Sequence, residues 1–189
     1  TVVLTLSYPA PRAAWLAGRY LGVMALSAIA AAVLALILAL AVMAADTGYD
    51  QGSHVALGTT FWATIFGLWI EVGVVAAFTL WIATLSTVTM LPLTLGALFA
   101  VASRSLGAVF DYLAQGAEGQ TELVERFGPA LETIRWFLPD LSRLDWRAWP
   151  MYGVSPGAES VAISLIMAFC YIAALLCLAI HSFSRREFS

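Results

Sequence analysis

The stretch that decides the fold runs from Val55 to Ser103: VALGTTFWATIFGLWIEVGVVAAFTLWIATLSTVTMLPLTLGALFAVAS. Across its 49 residues the only charge is Glu71. A single membrane span needs about 20 predominantly apolar residues to cross roughly 30 Å of hydrocarbon. This run is too long for one span and suits two joined by a tight turn. The polar string Thr84–Leu85–Ser86–Thr87 marks the turn, which predicts spans near 58–82 and 87–103. Pro92 falls in the first turns of the second span, where a missing N–H is tolerated or kinks the helix.

Outward from that pair the same pattern recurs. Leu21–Ala45 carries no charge between Arg19 and Asp46, and Ala31, Ala35 and Ala39 form a small-residue stripe suited to close helix packing. A last apolar run covers about 161–180. The expected fold is therefore all-α, a polytopic transmembrane bundle forming one domain. Its four visible spans are about 21–45, 58–82, 87–103 and 161–180. Composition agrees: 61% of the 189 residues are hydrophobic and 11% charged, against about 45–50% and 25% in soluble domains.

Between residues 104 and 158 the composition changes. Five of the nine arginines lie there, and Thr121–Phe137 places Leu123, Phe127, Leu131 and Ile134 on one helical stripe. Trp136, Trp146, Trp149 and Tyr152 have the composition of an aromatic belt, so they are expected as interfacial anchors at the headgroup level. The segment is expected to be extracytoplasmic and amphipathic, with helices lying on the membrane surface.

Orientation follows from the arginines. Arg12 and Arg19 precede the first span, Arg185 and Arg186 follow the last, and 45–57 has no basic residue. Both ends are expected in the cytoplasm, leaving 181–189 as a cytoplasmic tail and membrane lipid as the surrounding partner.

All nine basic residues are Arg. Without lysine the chain has no Walker-A lysine, kinase lysine or Schiff base. A net charge of −3 with scattered arginines excludes a basic nucleic-acid-binding stripe. No catalytic residue or metal site is expected. Cys170 and Cys177 sit seven apart in one apolar run, too far along a helix for a disulfide, and read as packing residues. His54 and His181 flank different spans and read as solvated.

Glu71 is the candidate intramembrane polar site. An ionised carboxylate at mid-span costs a few kcal/mol, so it is expected to face the protein interior. Two roles stay open: a proton or substrate contact, or a residue that fixes helix packing. With no basic residue inside the expected spans, its partner is expected to be a hydroxyl, a backbone carbonyl or another subunit.

The stretch Pro9–Gly22, PAPRAAWLAGRYLG, begins with Pro9 and Pro11 and places Trp15 and Leu16 on an apolar side. It reads as an interfacial helix within 1–20, with docking of a cytoplasmic partner as the sharper alternative.

Four local patterns together resemble the second half of an ABC-2-type transporter permease, especially the group associated with multicopper-enzyme and nitrous oxide reductase maturation. Pro9–Gly22 is similar to the family's P-x-S-R-x-x-(W/Y)-(L/V)-x-G-(K/R)-x-x-G segment, with Pro11 in place of Ser. Leu68–Glu71, continuing through Ala76–Ala77 to Leu85–Thr87, resembles its LE…A…fST pattern. Phe137–Asp145 resembles lLPNlexfn, with Asp140 in place of Asn, and Phe183–Phe188 resembles the closing F-x-R-R-(D/E)-F. The resemblance implies a C-terminal four-span portion of a six-span permease in the bacterial cytoplasmic membrane. It further implies a separate P-loop ATPase subunit holding ATP and Mg, a second permease subunit forming a homodimer, and a coupling helix over 1–20 that presents Pro11, Arg12, Trp15, Leu16 and Arg19 to the ATPase. This chain itself is expected to bind no cofactor and to be no enzyme. Two other readings stay beside it: a non-transporting membrane scaffold, and a proton-conducting subunit centred on Glu71.

Overall fold

In hydrocarbon the backbone finds no water to bond, so apolar runs of this length fold as helices whose N–H and C=O groups satisfy one another. The computed structural model describes residues 12–45, 56–114 and 140–185. In them the chain forms α1 (Arg12–Ala44), α2 (Thr59–Leu85), α3 (Met90–Ala114), a 3-10 turn (Leu141–Leu144), a short α4 (Ala148–Tyr152) and α5 (Ala158–Ser184). Among the described residues there is no strand, and α1, α2, α3 and α5 are each long and apolar enough to cross a membrane. The protein is a multi-pass, all-α membrane protein.

α2 is central and packs against α1, α3 and α5. Its buried face carries Phe61, Thr64, Gly67, Ile70, Glu71, Gly73, Val74, Ala77 and Thr84. Around it Tyr20 and Met24 of α1, and Ala168 and Ile172 of α5, close the core. Tyr20 donates its hydroxyl to the Gly73 carbonyl (3.2 Å), and the Trp69 indole donates to the Met24 carbonyl (3.1 Å), tying α1 to α2. The alanine stripe faces the same way: Ala35 is buried, and Ala31 and Ala35 line an apolar groove with Ile65 and Trp69. Phe78 stacks on Phe99 at 4.1 Å between α2 and α3.

Buried hydroxyls satisfy themselves within their own helices, which suits an apolar surrounding. Thr64 donates to the Thr60 carbonyl (2.9 Å), Thr79 to Val75 (2.8 Å) and Ser103 to Phe99 (2.6 Å), while Ser164 donates to Ser160.

The α2–α3 connection is a tight turn after Leu85, where Ser86 both accepts from the Val88 N–H (3.0 Å) and donates to the Val88 carbonyl (2.7 Å). Two helices run well beyond their expected limits, α1 at its start and α3 at its end. α1 has no break between Arg12 and Leu21, so residues 12–20 are the first turns of the spanning helix and not a separate interfacial helix. Nothing there interrupts a helix: Gly18 and Gly22 are tolerated, and no proline follows Pro11. α3 continues past residue 103, through Arg104 to Ala114, because the residues after Arg104 are again small or apolar and its charge is neutralised inside the bundle.

The expectation of surface-lying helices over 104–158 also changes. Thr121–Phe137 lies outside the described residues. The described part, 140–152, turns inward and packs against α2, α3 and α5. The Trp146 carbonyl accepts from the Thr64 hydroxyl (3.1 Å), and the Pro150 carbonyl accepts from the Ala56 N–H (3.0 Å). Gly153, at φ 70°, ends α4 in the left-handed conformation glycine adopts without strain.

Candidate functional site

Glu71 lies 12 residues into α2, about 18 Å along the helix axis at 1.5 Å per residue. Arg104 lies 14 residues into α3, and the two helices run antiparallel through the turn at 86–89, which brings these depths together. The Arg104 Nη1 donates to both Glu71 carboxylate oxygens, at 3.2 and 3.4 Å. Its Nη2 donates to Asp145 Oδ2 at 3.1 Å. Arg147 then grips Asp145 from outside: Nε donates to Oδ1 at 2.7 Å, Nη2 donates to Oδ2, and the Arg147 N–H donates to Oδ1 at 3.3 Å.

The result is a chain of four alternating charges, Glu71–Arg104–Asp145–Arg147, leading from mid-bundle to the rim. Its two ends differ most in side-chain exposure, 10% at Glu71 against 59% at Arg147, with Arg104 at 39% and Asp145 at 21% between them. Its charges sum to zero, which lowers the cost of holding ions at this depth. The expected partner of Glu71 is thereby corrected: among the described residues it is Arg104, within the spanning helix α3, and not a hydroxyl or a backbone carbonyl.

The turn that delivers Asp145 is shaped by glycines on both walls. A Cβ on Gly67 would lie 2.8 Å from the Leu144 carbonyl oxygen and 3.0 Å from the Trp146 ring. On α3, a Cβ on Gly107 would collide with the Ser142 hydroxyl and lie 3.2 Å from Asp140 Oδ1. Asp140 itself is buried, accepts from the Ser142 N–H (3.2 Å) and hydroxyl, and pairs with Arg143 Nε (3.4 Å). It acts as the cap that starts the 3-10 turn.

The hydrogen bonds from the Arg147 side chain hold the Asp145 carboxyl at about 2, outweighing the burial that pushes it upward, with the Arg147 N–H and Arg104 adding to the lowering. Since this lies below the ordinary aspartate value of about 3.9, the pairing contributes stability above about pH 4. That contribution is lost as pH falls from about 4 to about 2. Hydrogen-exchange protection over 140–147, taken relative to the intrinsic rate at each pH, is expected to fall across that window in the native chain and to show no such transition in Asp145→Asn.

The aromatic anchors divide. Trp136 lies outside the described residues. Trp146 is 6% exposed and is a core residue, not a headgroup anchor: the space left by Gly67 receives its ring, and its indole donates to the Arg143 carbonyl (3.0 Å). Trp149 is half-buried, and Tyr152 is exposed.

At the opposite end, the first turns of α1 meet the last turns of α2 and α5. Leu16, 1% exposed, packs with Ala179 and Phe183, and Leu80 and Trp81 close over them. Trp15 stacks on Phe183 at 5.5 Å and 9°, and the Arg19 guanidinium lies 4.9 Å above the Trp15 ring. Leu16 is thus internal and cannot form part of a docking surface. Arg19 remains exposed, Pro11 lies outside the described residues, and Arg12 opens the helix. Leu16→Ala is expected to lower stability by about 2–5 kcal/mol, read as unfolding in mild detergent.

Sequence reasoning missed Arg104 and Asp145. A usable signal existed: the apolar residues continue for several positions after Arg104, so two adjacent apolar segments each carry one charge, of opposite sign. Among the described residues no cluster of His, Cys, Asp and Glu could hold a metal, and Cys170 and Cys177 lie exposed on α5. The chain matches no family model, no curated protein and no solved structure.

Proposed function

We propose that this chain is the membrane-spanning permease subunit of an ATP-driven transporter of the ABC-2 type. In this reading it sits in a bacterial cytoplasmic membrane, pairs with a second permease subunit, and takes its driving force from separate P-loop ATPase subunits that hold ATP and Mg. The observation that carries the reading is the unbroken α1, whose first turns are wedged against the ends of α2 and α5. A push on Arg19 and Trp15 passes through Leu16 and Phe183 to both neighbouring spans without a flexible joint to absorb it. The absence of lysine from these 189 residues supports the division of labour, because a P-loop needs that lysine and this membrane portion does not supply it. The motif resemblance at Pro9–Gly22 supports an ATPase contact at this same end.

The test is ATP hydrolysis by the full-length protein purified with its native partners and placed in nanodiscs. The complex is expected to hydrolyse ATP, and Arg19→Glu is expected to lower the rate by about 5- to 150-fold, the range of ordinary coupling energies. A purified assembly without ATP hydrolysis, or one indifferent to Arg19→Glu, overturns the proposal.

A further inference from the structure

We propose that Arg104 is a binding site for an oxyanion (a carboxylate, phosphate or sulfate group) and that Asp145 occupies it as an exchangeable internal stand-in. This inference rests on the charge chain alone and does not depend on ATP coupling.

Three observations carry it. First, Arg104 is under-used. A guanidinium has five N–H donors in a planar fork. Among the described residues only its Nη1 and Nη2 donate, each to one carboxylate, and Nε has no partner. Its side chain also keeps 39% exposure although it belongs to a spanning helix.

Second, Asp145 can leave without becoming unpaired. Arg147 holds it through two side-chain nitrogens and a backbone N–H, against a single contact to Arg104. Moving away, Asp145 and Arg147 form one neutral pair, and Glu71 and Arg104 form another. The departure of Asp145 therefore leaves no unpaired charge behind, which lowers its cost in a low-dielectric site.

Third, the vacated edge suits an oxyanion. Glu71 takes Nη1, so release of Asp145 frees Nη2 beside an Nε that already has no partner among the described residues. An incoming anion with two oxygens matches that fork better than one Asp145 oxygen does. Arg147 decides the balance: its grip on Asp145 draws the stand-in toward the rim.

The experiment uses the full-length protein in nanodiscs, with sulfate as the probe and binding followed by calorimetry. Asp145→Asn removes the competing charge while keeping an acceptor for Arg147, and is expected to bind sulfate about tenfold more tightly than the native chain, equivalent to ~1.4 kcal/mol. Arg147→Gln leaves Asp145 committed to Arg104 and is expected to weaken sulfate binding. Damage to the fold moves both variants the same way, so the opposite signs are diagnostic. Arg104→Lys keeps the pairing with Glu71 but loses the fork, and is expected to weaken binding in the Asp145→Asn background.

Two lipid compositions distinguish the source of the anion. If phosphatidylglycerol added to phosphatidylcholine competes with sulfate, the natural oxyanion is a lipid headgroup. If it does not, the ligand is a soluble anion. Unchanged sulfate affinity in Asp145→Asn, or a shift in the same direction for Asp145→Asn and Arg147→Gln, overturns the proposal.

Discussion

Arg104→Met is expected to destabilise the bundle by about 3–5 kcal/mol, whereas Glu71→Gln costs about 1–2 kcal/mol. The asymmetry follows from how partners are shared. Glu71 is buried, and among the described residues its carboxylate is paired with Arg104 alone. Removing Arg104 therefore strands a carboxylate at mid-span, while Asp145 is still held by Arg147. Removing the charge of Glu71 leaves Arg104 paired with Asp145 at 3.1 Å, and Gln still offers it an oxygen. The double variant Glu71→Gln/Arg104→Met is expected to recover much of the loss, since no stranded charge remains. Equilibrium unfolding in detergent, run as a double-mutant cycle, reads all three values. Equal costs for the two single changes contradict the proposed sharing.

Gly67→Val is expected to expel the 140–147 turn from between the helices. The nearest atom to a new Cβ is the Leu144 carbonyl oxygen, at 2.8 Å, and the next belong to the Trp146 ring, at 3.0 and 3.2 Å. A backbone oxygen has no rotamer to change, so relief requires the turn itself to move. Overpacking of this kind costs typically about 1–3 kcal/mol. Here the displacement also pulls Asp145 from Arg104 and breaks the bond between Thr64 and the Trp146 carbonyl. The expected signature is a red-shifted Trp146 emission, read in a variant whose other tryptophans are replaced by phenylalanine. Gly18→Val is the control, because a Cβ there meets nothing within 4 Å. A Gly67→Val protein with native Trp146 emission refutes the wedged geometry.

The four helices were legible because hydrocarbon leaves a long apolar run little choice but helix. The turn near Ser86 was legible for a similar reason: in the Val55–Ser103 run, Thr84–Thr87 holds three hydroxyl side chains in four residues. Glu71 was legible as an inward-facing residue from the cost of its charge alone. Its partner was not. A single Arg near the end of an apolar run looks like an interfacial residue, and only the continuation of α3 places it inside. Trp146 misled in the same way. Near the end of a loop it has the composition of a headgroup anchor, yet the space it fills is made by Gly67, 79 positions earlier. A glycine within a helix does not announce which side chain will take the room it leaves. Trp15 and Leu16 were correctly placed on an apolar side, but what covers that side, the last turns of α5, comes from the opposite end of the chain.

The charge chain also sets an order of events during synthesis. Glu71 leaves the ribosome first, Arg104 follows 33 residues later, and Asp145 another 41 after that. A helix carrying an unpaired carboxylate enters lipid at a cost of a few kcal/mol, and α2 has no counter-charge of its own. α2 and α3 are therefore expected to leave the insertion machinery together, as a hairpin already neutralised at its middle. Asp145 arrives only once that hairpin exists, so the 140–147 turn completes the charge chain after its first pair, and its seating reports that two spans have found each other in the correct register.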